Sequence, residues 1–456
     1  MSSYATRLYQ HSPVWMQNAM LSVYGVHLRR LRYGPVHAQT LRALQLSQWH
    51  DAGTVKQEQL ARLNALLAHA RGTVPFYRDA AWPSLPLARI EDLALLPVTR
   101  KAELQAAGRG LVSDSHAGQK LTEIHTGGTT GMPLTVYCDS PTVQRNYAFF
   151  SRFLSWAGIG AGARTATFAG RILMPPDVGA PFWRRNRAAN TTLFSSYHIS
   201  PSTLPAYVDA LAELAPEMID SYPSSIEPVA RHLITTGDRR IRPRAVITSS
   251  ETLTPAVRRV IEDAFGCAVY DHYGSAEMVA LVTQCERGTY HVNPEFGVLE
   301  LLRDGRPCLP GESGEVVATG FINSVMPLVR YAIGDWASWR DRPCECGRAM
   351  PALEEIGGRV DDVIVTPEGR LVGRLDPIFK SVSSLFECRI VQDAADHVRV
   401  EIVAGGHVPA EEQRTLMSAL RDRIGSTMRI DVVRVDRIPR TARGKLRTVV
   451  NEWGRR

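Results

Sequence analysis

Between about residues 121 and 340 the sequence alternates two textures, and that alternation commits nearly half of the chain to an α/β architecture. Short apolar runs at Ala166–Phe168, Ala245–Thr248 and Ala268–Tyr270 read as buried strands. Between them, Leu204–Ala215 and Pro255–Phe265 repeat their apolar residues at the helical period. Residues 295–340 hold several short strand signals split by Gly and Pro, as in a small β-rich subdomain. Residues 1–120 alternate helical patterns with short breaks. Leu60, Leu63, Leu66, Leu67 and Ala70 share a face of a helix from Lys56 to Arg71; Pro75 ends that region, and Thr99–Leu104 reads as a capped helix start.

A chain of 456 residues is long enough for two or three domains. A boundary is expected near Gly357–Asp362, dividing residues 1–360 from 361–456. Beyond it strands are expected at Val363–Val365, Cys388–Val391, Val398–Val403 and Ile430–Val435, with a helix at Ala410–Ile424. That is enough for a separate α+β domain.

No run approaches the roughly 20 apolar residues of a membrane span. Near the N-terminus Trp15, Met16, Met20, Leu21, Val23 and Tyr24 are interrupted by Gln17, Asn18, His27, Arg29 and Arg30. This segment is expected as an amphipathic helix packed on the body of a cytoplasmic protein, with a membrane-surface role the lesser alternative, since it lacks the basic-then-apolar order of a signal peptide. The net charge of +7 is scattered, its densest group (Arg184, Arg185, Arg187) is short, and no nucleic-acid motif accompanies it. The charge suits small anionic ligands rather than nucleic acid. Seven cysteines, odd in number and unevenly spaced, do not form a secreted disulfide framework. Only five of 53 basic residues are lysines, so Lys445 stands out as a place where a compact ammonium is kept.

The segment Ile124–Pro133 reads I-H-T-G-G-T-T-G-M-P. Gly127, Gly128 and Gly131 permit tight backbone geometry that can converge successive N–H groups on an anion. Thr126, Thr129 and Thr130 add hydroxyl donors, and a strand-like run, Leu121–His125, leads into the segment. Met132 stands where a Walker loop would have lysine, so this is not a Walker A sequence. On composition alone the segment reads equally well as a turn joining two strands.

This loop resembles the phosphate-binding signature of adenylate-forming ligases, and within them the phenylacetate–CoA ligase group. That group includes CapK-type proteins and synthetases that adenylylate a deazaflavin coenzyme. Four further motifs resemble the family's in order: Tyr273-Gly-Ser-Ala-Glu277, Tyr331-Ala-Ile-Gly-Asp335, the hinge-like Gly358-Arg-Val-Asp-Asp362, and Pro439-Arg-Thr-Ala-Arg-Gly-Lys445. Ser12–Asn18 and Val74–Arg78 are also similar to this group, so the likeness runs nearly end to end.

The resemblance implies a large N-terminal adenylate-forming domain of mixed sheets and helices, followed by a small mobile α+β domain. It implies that ATP and Mg²⁺ are used to activate a small carboxylic acid, aryl or arylacetic by analogy, as acyl-AMP. Thr126–Gly131 would hold the phosphates, with Thr130 and Lys445 catalytic and Glu277 binding magnesium. Tyr273 would flank the adenine, Asp335 would accept the ribose hydroxyls, and Arg359 would hold ribose or phosphate. Asp271, His272, Gly274, Ser275, Ser250 and Glu251 would complete the nucleotide contacts. The acid would lie against Tyr147, Phe150, Tyr222 and Ser249, with Phe149 in the same aromatic wall; at helical spacing such residues are more often plain core. His125 and His198 read as anchoring side chains rather than catalysts.

Cys285-x5-His291 and Cys344-x-Cys346 offer three sulfurs and one imidazole, a set that suits a closed structural zinc site. Their spacing is not that of a standard finger, and free thiols with a surface histidine are the plainer reading. Similar sets occur in relatives of this group. The acyl group would pass to coenzyme A, or else to an amine or a carrier-protein thiol, and a homodimer is in keeping with the group. A non-catalytic nucleotide-binding protein of polysaccharide synthesis is the rival of another class.

Overall fold

The computed structural model describes residues 8–126, 134–168, 173–174, 179–359, 364–367, 371–372, 375, 382, 384–425, 427–440 and 446–453. Its helices are α1 (Val14–Arg32), α2 (Pro35–Ser47), α3 (Ala52–Thr73), α4 (Lys101–Ala107), α5 (Ser140–Trp156), α6 (Leu204–Leu214), α7 (Pro223–Thr236), α8 (Pro255–Phe265) and α9 (Ala410–Ile424). The strands begin with β1 (Thr122–His125), β2 (Thr135–Cys138), β3 (Thr165–Phe168), β4 (Trp183–Asn186), β5 (Thr191–Phe194), β6 (Met218–Ser221) and β7 (Ala245–Ser249). They continue with β8 (Ala268–Gly274), β9 (Leu281–Gln284), β10 (Tyr290–Val292), β11 (Gly297–Arg303), β12 (Arg306–Pro307), β13 (Ser313–Gly320), β14 (Tyr331–Trp339) and β15 (Ala352–Arg359). The last are β16 (Ile364–Val365), β17 (Leu371–Val372), β18 (Leu385–Ala394), β19 (His397–Ala404), β20 (Arg429–Arg434) and β21 (Val449–Asn451).

The chain divides into two units. The first comprises residues 1–164, 185–191 and 270–356. Here α3 starts where the Asp51 carboxylate accepts from the Gly53 and Thr54 amides, and it ends before Pro75. Its Leu63, Leu66, Leu67 and Ala70 are buried, as the spacing predicts, against Val74, Tyr77, Leu93 and Val298. The strands of this unit lie in the order β12-β11-β13-β14-β15-β10-β9-β8. Antiparallel pairing sets Leu301 opposite Val316 and His272 opposite Thr283. A core of Val282, Leu301, Val316, Ala318, Leu328 and Tyr331 fills one side.

Residues 295–340 are β-rich, as expected: β11, β13 and β14 have seven, eight and nine residues, with the two-residue β12 between the first two. Gly297 opens β11, Gly314 is second in β13 and Gly320 closes it, and a neighbour crowds each: a Cβ on Gly297 would run into the Thr319 carbonyl oxygen. The capped start read at Thr99–Leu104 is present: Arg100 is the N-cap of α4, its N–H donating to the Glu103 carboxylate, while the Thr99 backbone pairs with Arg330 and Ala332.

The second unit comprises residues 165–184, 192–269 and 357–456. Strands β3, β6 and β7 run parallel, Thr165 beside Met218 and Met218 beside Ala245. Crossovers through α6 and α7 cover them, which is why these strands lack polar alternation. Phe168 stacks on Phe194 at 4.8 Å, with Tyr207 against both. Near the C-terminal end of the chain the strand order is β20-β19-β18-β21, with β18–β19 antiparallel and both outer strands parallel to their neighbours. Helix α9 buries Leu416, Leu420 and Ile424 with Ile390, Val398 and Val400. The fold is mixed α/β with a C-terminal α+β portion, as expected.

Candidate functional site

The residues singled out for nucleotide binding fall into groups, each positioned by its own backbone. β1 and β2 form a hairpin in which His125 faces Thr135, and their side chains meet at 3.1 Å. Thr126 is buried and clamps the hairpin twice: its amide donates to the Leu134 carbonyl at 2.9 Å, and its hydroxyl accepts from the Leu134 amide at 3.0 Å. His125 is thus an anchoring residue. Gly127, Gly128, Thr129, Thr130 and Gly131 lie outside the described residues, as does Lys445; the side chain of Arg359 is likewise not described.

On β8 and β14 the predicted acid and aromatic groups meet. The Tyr273 hydroxyl donates to Asp335 Oδ2 at 2.7 Å, although 62 residues separate the two. Asp335 follows Gly334, whose φ of +87° turns the strand. The Tyr331 hydroxyl lies 3.2 Å from Glu277 Oε1, and both side chains are buried. Glu277 sits in a tight turn, where the Met278 amide donates to the Ser275 carbonyl and Met278 takes a φ of +58°. The Ser275 amide in turn donates to the Ala280 carbonyl, next to Gly274 at the end of β8.

Asp271 and His272, also on β8, each have partners within the protein. The Asp271 carboxylate accepts from the Tyr290 hydroxyl at 2.7 Å, and its amide from β8 is taken by Gln284. His272 packs edge-on against Phe150 and Phe153 at 5.5 and 5.4 Å. Burial pushes it down to about 4, so it is neutral near pH 7. Its Nδ1 finds no hydrogen-bond partner among the described residues.

Of the aromatic wall, Tyr147 stands edge-on to Tyr33 at 5.7 Å with the Arg32 guanidinium 4.5 Å above its ring. Phe150 contacts His272 as described. Phe149 is plain core, the commoner role at helical spacing: it is buried against Phe296 at 5.0 Å. Helical spacing put it one residue, and so about 100°, away from Phe150.

In the second unit, Tyr222 occupies the N-cap position of α7, with its carbonyl accepting from the Ser225 amide at 3.0 Å. Ser249 closes β7, with its hydroxyl 3.4 Å from that of Ser250, and Ser250 adopts a φ of +69°. Glu251 then turns back onto α7. Its carboxylate accepts from the Ser224 amide at 3.0 Å, from the Ser224 hydroxyl at 2.9 Å and from the Leu446 amide at 3.2 Å. Burial pushes Glu251 above the usual carboxylate range, and those donors pull the other way. Arg440 bonds to the Ser224 hydroxyl at 3.3 Å and to the Glu387 carboxylate, and it forms a β-bridge with Leu446. The ends of the segment carrying Lys445 are therefore tied to Glu251 and Ser224. Sequence reading missed Arg440, although its place after Pro439 in the lysine motif was the available signal.

The four candidate metal ligands come together. The ligand atoms of Cys285, His291, Cys344 and Cys346 all lie within 4.8 Å of one another. Cys285 Sγ is 3.7 Å from Cys344 Sγ, and Cys346 Sγ is 3.3 Å from His291 Nε2. Two thiolates bound to one zinc at about 2.3 Å in a tetrahedron are separated by about 3.8 Å, so the spacing fits the ion and is too long for a disulfide. His291 turns its Nδ1 toward the Met350 carbonyl at 3.4 Å, which leaves Nε2 to face the sulfurs. The Arg287 amide points at Cys285 Sγ and the Cys346 amide at Cys344 Sγ. Cys285 follows β9 and His291 lies in β10, while Cys344 and Cys346 lie between β14 and β15. The cluster thus joins the strand next to β8, which carries Tyr273, to the connection after β14, which carries Asp335.

Comparison with known proteins adds four findings. Residues 364–452 match the family model described as the CapK C-terminal domain. Protein CapK of Staphylococcus aureus is 25% identical over 97% of this chain and 98% of its own length. Phenylacetate-coenzyme A ligase of Thermus thermophilus is 24% identical over 86% of this chain and 95% of its own. Among solved structures, 2-hydroxyisobutyryl-CoA ligase in the postadenylation state with 2-HIB-AMP superposes with a TM-score of 0.69 at 21% identity, covering 88% of this chain and 90% of that one. That likeness is one of fold. No helix among the described residues is long and apolar enough to cross a membrane.

Proposed function

Because the chain belongs to the adenylate-forming ligases, in the group of phenylacetate–CoA ligase and CapK, we propose that it joins a small carboxylic acid to AMP with release of pyrophosphate and passes the acyl group to coenzyme A. The observation that carries this reading is the match to a phenylacetate-coenzyme A ligase over 95% of that enzyme's length. An aryl or arylacetic acid is the favoured substrate.

The reaction brings two anions together, and its barrier is lowered mainly by positioning and by neutralising charge on the phosphoryl oxygens. Thr126 to Gly131 bind the triphosphate. Asp335, held by the Tyr273 hydroxyl, accepts the ribose hydroxyls, and Tyr273 presents its ring beside the adenine. A single buried carboxylate that already accepts from a tyrosine suits Mg²⁺, which takes one or two carboxylates and completes its shell with phosphate and water. Glu277 would hold that ion, which neutralises phosphate charge. Arg359 steadies ribose or phosphate, and Lys445 meets the carboxylate and the α-phosphate in the transition state.

Residues 361–456 act as the mobile domain that delivers Lys445. The role of Glu251 is read differently from a plain nucleotide contact: with Ser224 and Arg440 it seats the segment that carries the lysine. Cys285, His291, Cys344 and Cys346 hold a structural zinc, since four protein ligands leave no open position for chemistry.

The test is formation of AMP from ATP with each of a panel of aryl, arylacetic and short aliphatic acids, with loss of free coenzyme A thiol measured in the same reaction. One acid that yields AMP and a stoichiometric thioester supports the reading. AMP formation without thiol loss would move the acceptor to an amine or a carrier protein.

A further inference from the structure

The N-terminal helix α1 was expected to lay its apolar side on the body of the protein. It does so only in part: Gln17 and Gly25 are buried, and Asn18 and Ser22 accept from the amides of Arg185 and Arg187. The side turned away from the protein is not polar. Trp15 is 70% exposed and Val23 73%, with Val26 also exposed. At 100° per residue Trp15, Ala19, Val23 and Val26 fall within an arc of about 80°, so they form one stripe along the helix. Eight of the fifteen exposed large hydrophobic side chains among the described residues lie between Leu8 and Trp49. Scattered apolar residues need no explanation, but this concentration does.

The charge of the same region is equally one-sided. Residues 1–50 contain five arginines and no Asp or Glu. Arg29 and Arg30 are exposed in the last turn of α1, with Arg30 inside the arc of the apolar stripe. An isologous contact through this region would bring together two surfaces that carry arginine and no carboxylate to pair it. An apolar stripe with tryptophan, flanked by arginine and free of acid, is complementary to a bilayer with anionic headgroups. We propose that α1 lies in the interface of an anionic membrane, its Trp15–Val26 stripe among the acyl chains and Arg29 and Arg30 on the headgroups, so that the ligase works at a lipid surface. The stripe enters the bilayer boundary without spanning it, in keeping with a helix too polar to cross.

Flotation of the full-length protein with vesicles tests this. Vesicles of equal parts phosphatidylglycerol and phosphatidylcholine are expected to carry the protein at low salt, and phosphatidylcholine vesicles are not. Raising the salt weakens the binding. A Trp15→Ser/Val23→Ser variant and an Arg29→Glu/Arg30→Glu variant each lower the bound fraction at least about fivefold. Unchanged melting of both variants shows that folding is intact. Failure of the wild type to float with the anionic vesicles, or flotation of both variants like wild type, overturns the proposal. A dimer in sedimentation equilibrium that Trp15→Ser/Val23→Ser dissociates also overturns it, and assigns the stripe to a second copy.

Discussion

Removing half of the proposed zinc ligand set, as in Cys344→Ser/Cys346→Ser, should loosen the first unit by an amount that follows from chain topology. Cys285 and Cys344 are 59 residues apart, and the ion closes that loop. A cross-link over such a span restricts the unfolded chain by about 4 kcal/mol on the loop-entropy model. A unit of this size shifts by roughly 2–4 °C per kcal/mol, so the variant should melt about 8–16 °C lower. Elemental analysis of the wild type should give about one zinc per chain, falling toward zero in the variant. Because the cluster ties the strand next to β8 to the connection after β14, which carry Tyr273 and Asp335, KM for ATP should rise with the loss of metal. A folded, metal-free wild type whose melting point matches that of the variant within about 2 °C would refute the zinc clip and the energetics drawn from it.

Tyr273→Phe removes the donor to Asp335; a bond to a charged acceptor contributes about 1.5–3 kcal/mol, so KM for ATP should rise roughly 10-fold or more with kcat little changed. An unchanged KM would remove Tyr273 as the positioning group. Arg152 is fully buried and pairs with Glu295 at 2.8 and 3.0 Å, so Arg152→Leu strands a buried carboxylate and should cost about 3–5 kcal/mol in denaturant unfolding, most of it recovered in Arg152→Leu/Glu295→Leu. His397 lies between Asp393 and Asp431, whose carboxylates hold its pKa above the ordinary value. Its contribution to stability is therefore full below the unfolded value near 6.5 and is lost as pH rises through the higher folded one; His397→Gln should flatten that part of the melting profile.

Much of the second unit was legible because parallel strands are buried on both faces and show as apolar runs. Helix α9 matches its expected bounds, Ala410–Ile424, because its apolar residues keep the helical period between Pro409 and Gly425. The antiparallel strands of the first unit were harder. The crowding at Gly297, Gly314 and Gly320, where a neighbouring atom leaves no room for a Cβ, has no local signal. The capped start at Thr99–Leu104 was legible, but the pairing of the Thr99 backbone with β14 is a tertiary fact with no local signal. The motifs told which residues matter and not what they touch. That Tyr273 reaches Asp335, or that Glu251 receives Leu446, depends on pairings 62 and 195 residues apart. The metal set was visible as residue types, and the fold supplied the distance between its two halves.

The central claim is that this chain makes an acyl-AMP, and acid-dependent exchange of radiolabelled pyrophosphate into ATP tests it most directly. The account predicts label in ATP only when a cognate acid is present, and near-background exchange for Lys445→Ala despite intact ATP binding. Exchange by Lys445→Ala at the wild-type rate, or wild-type exchange that does not depend on any acid, would contradict it.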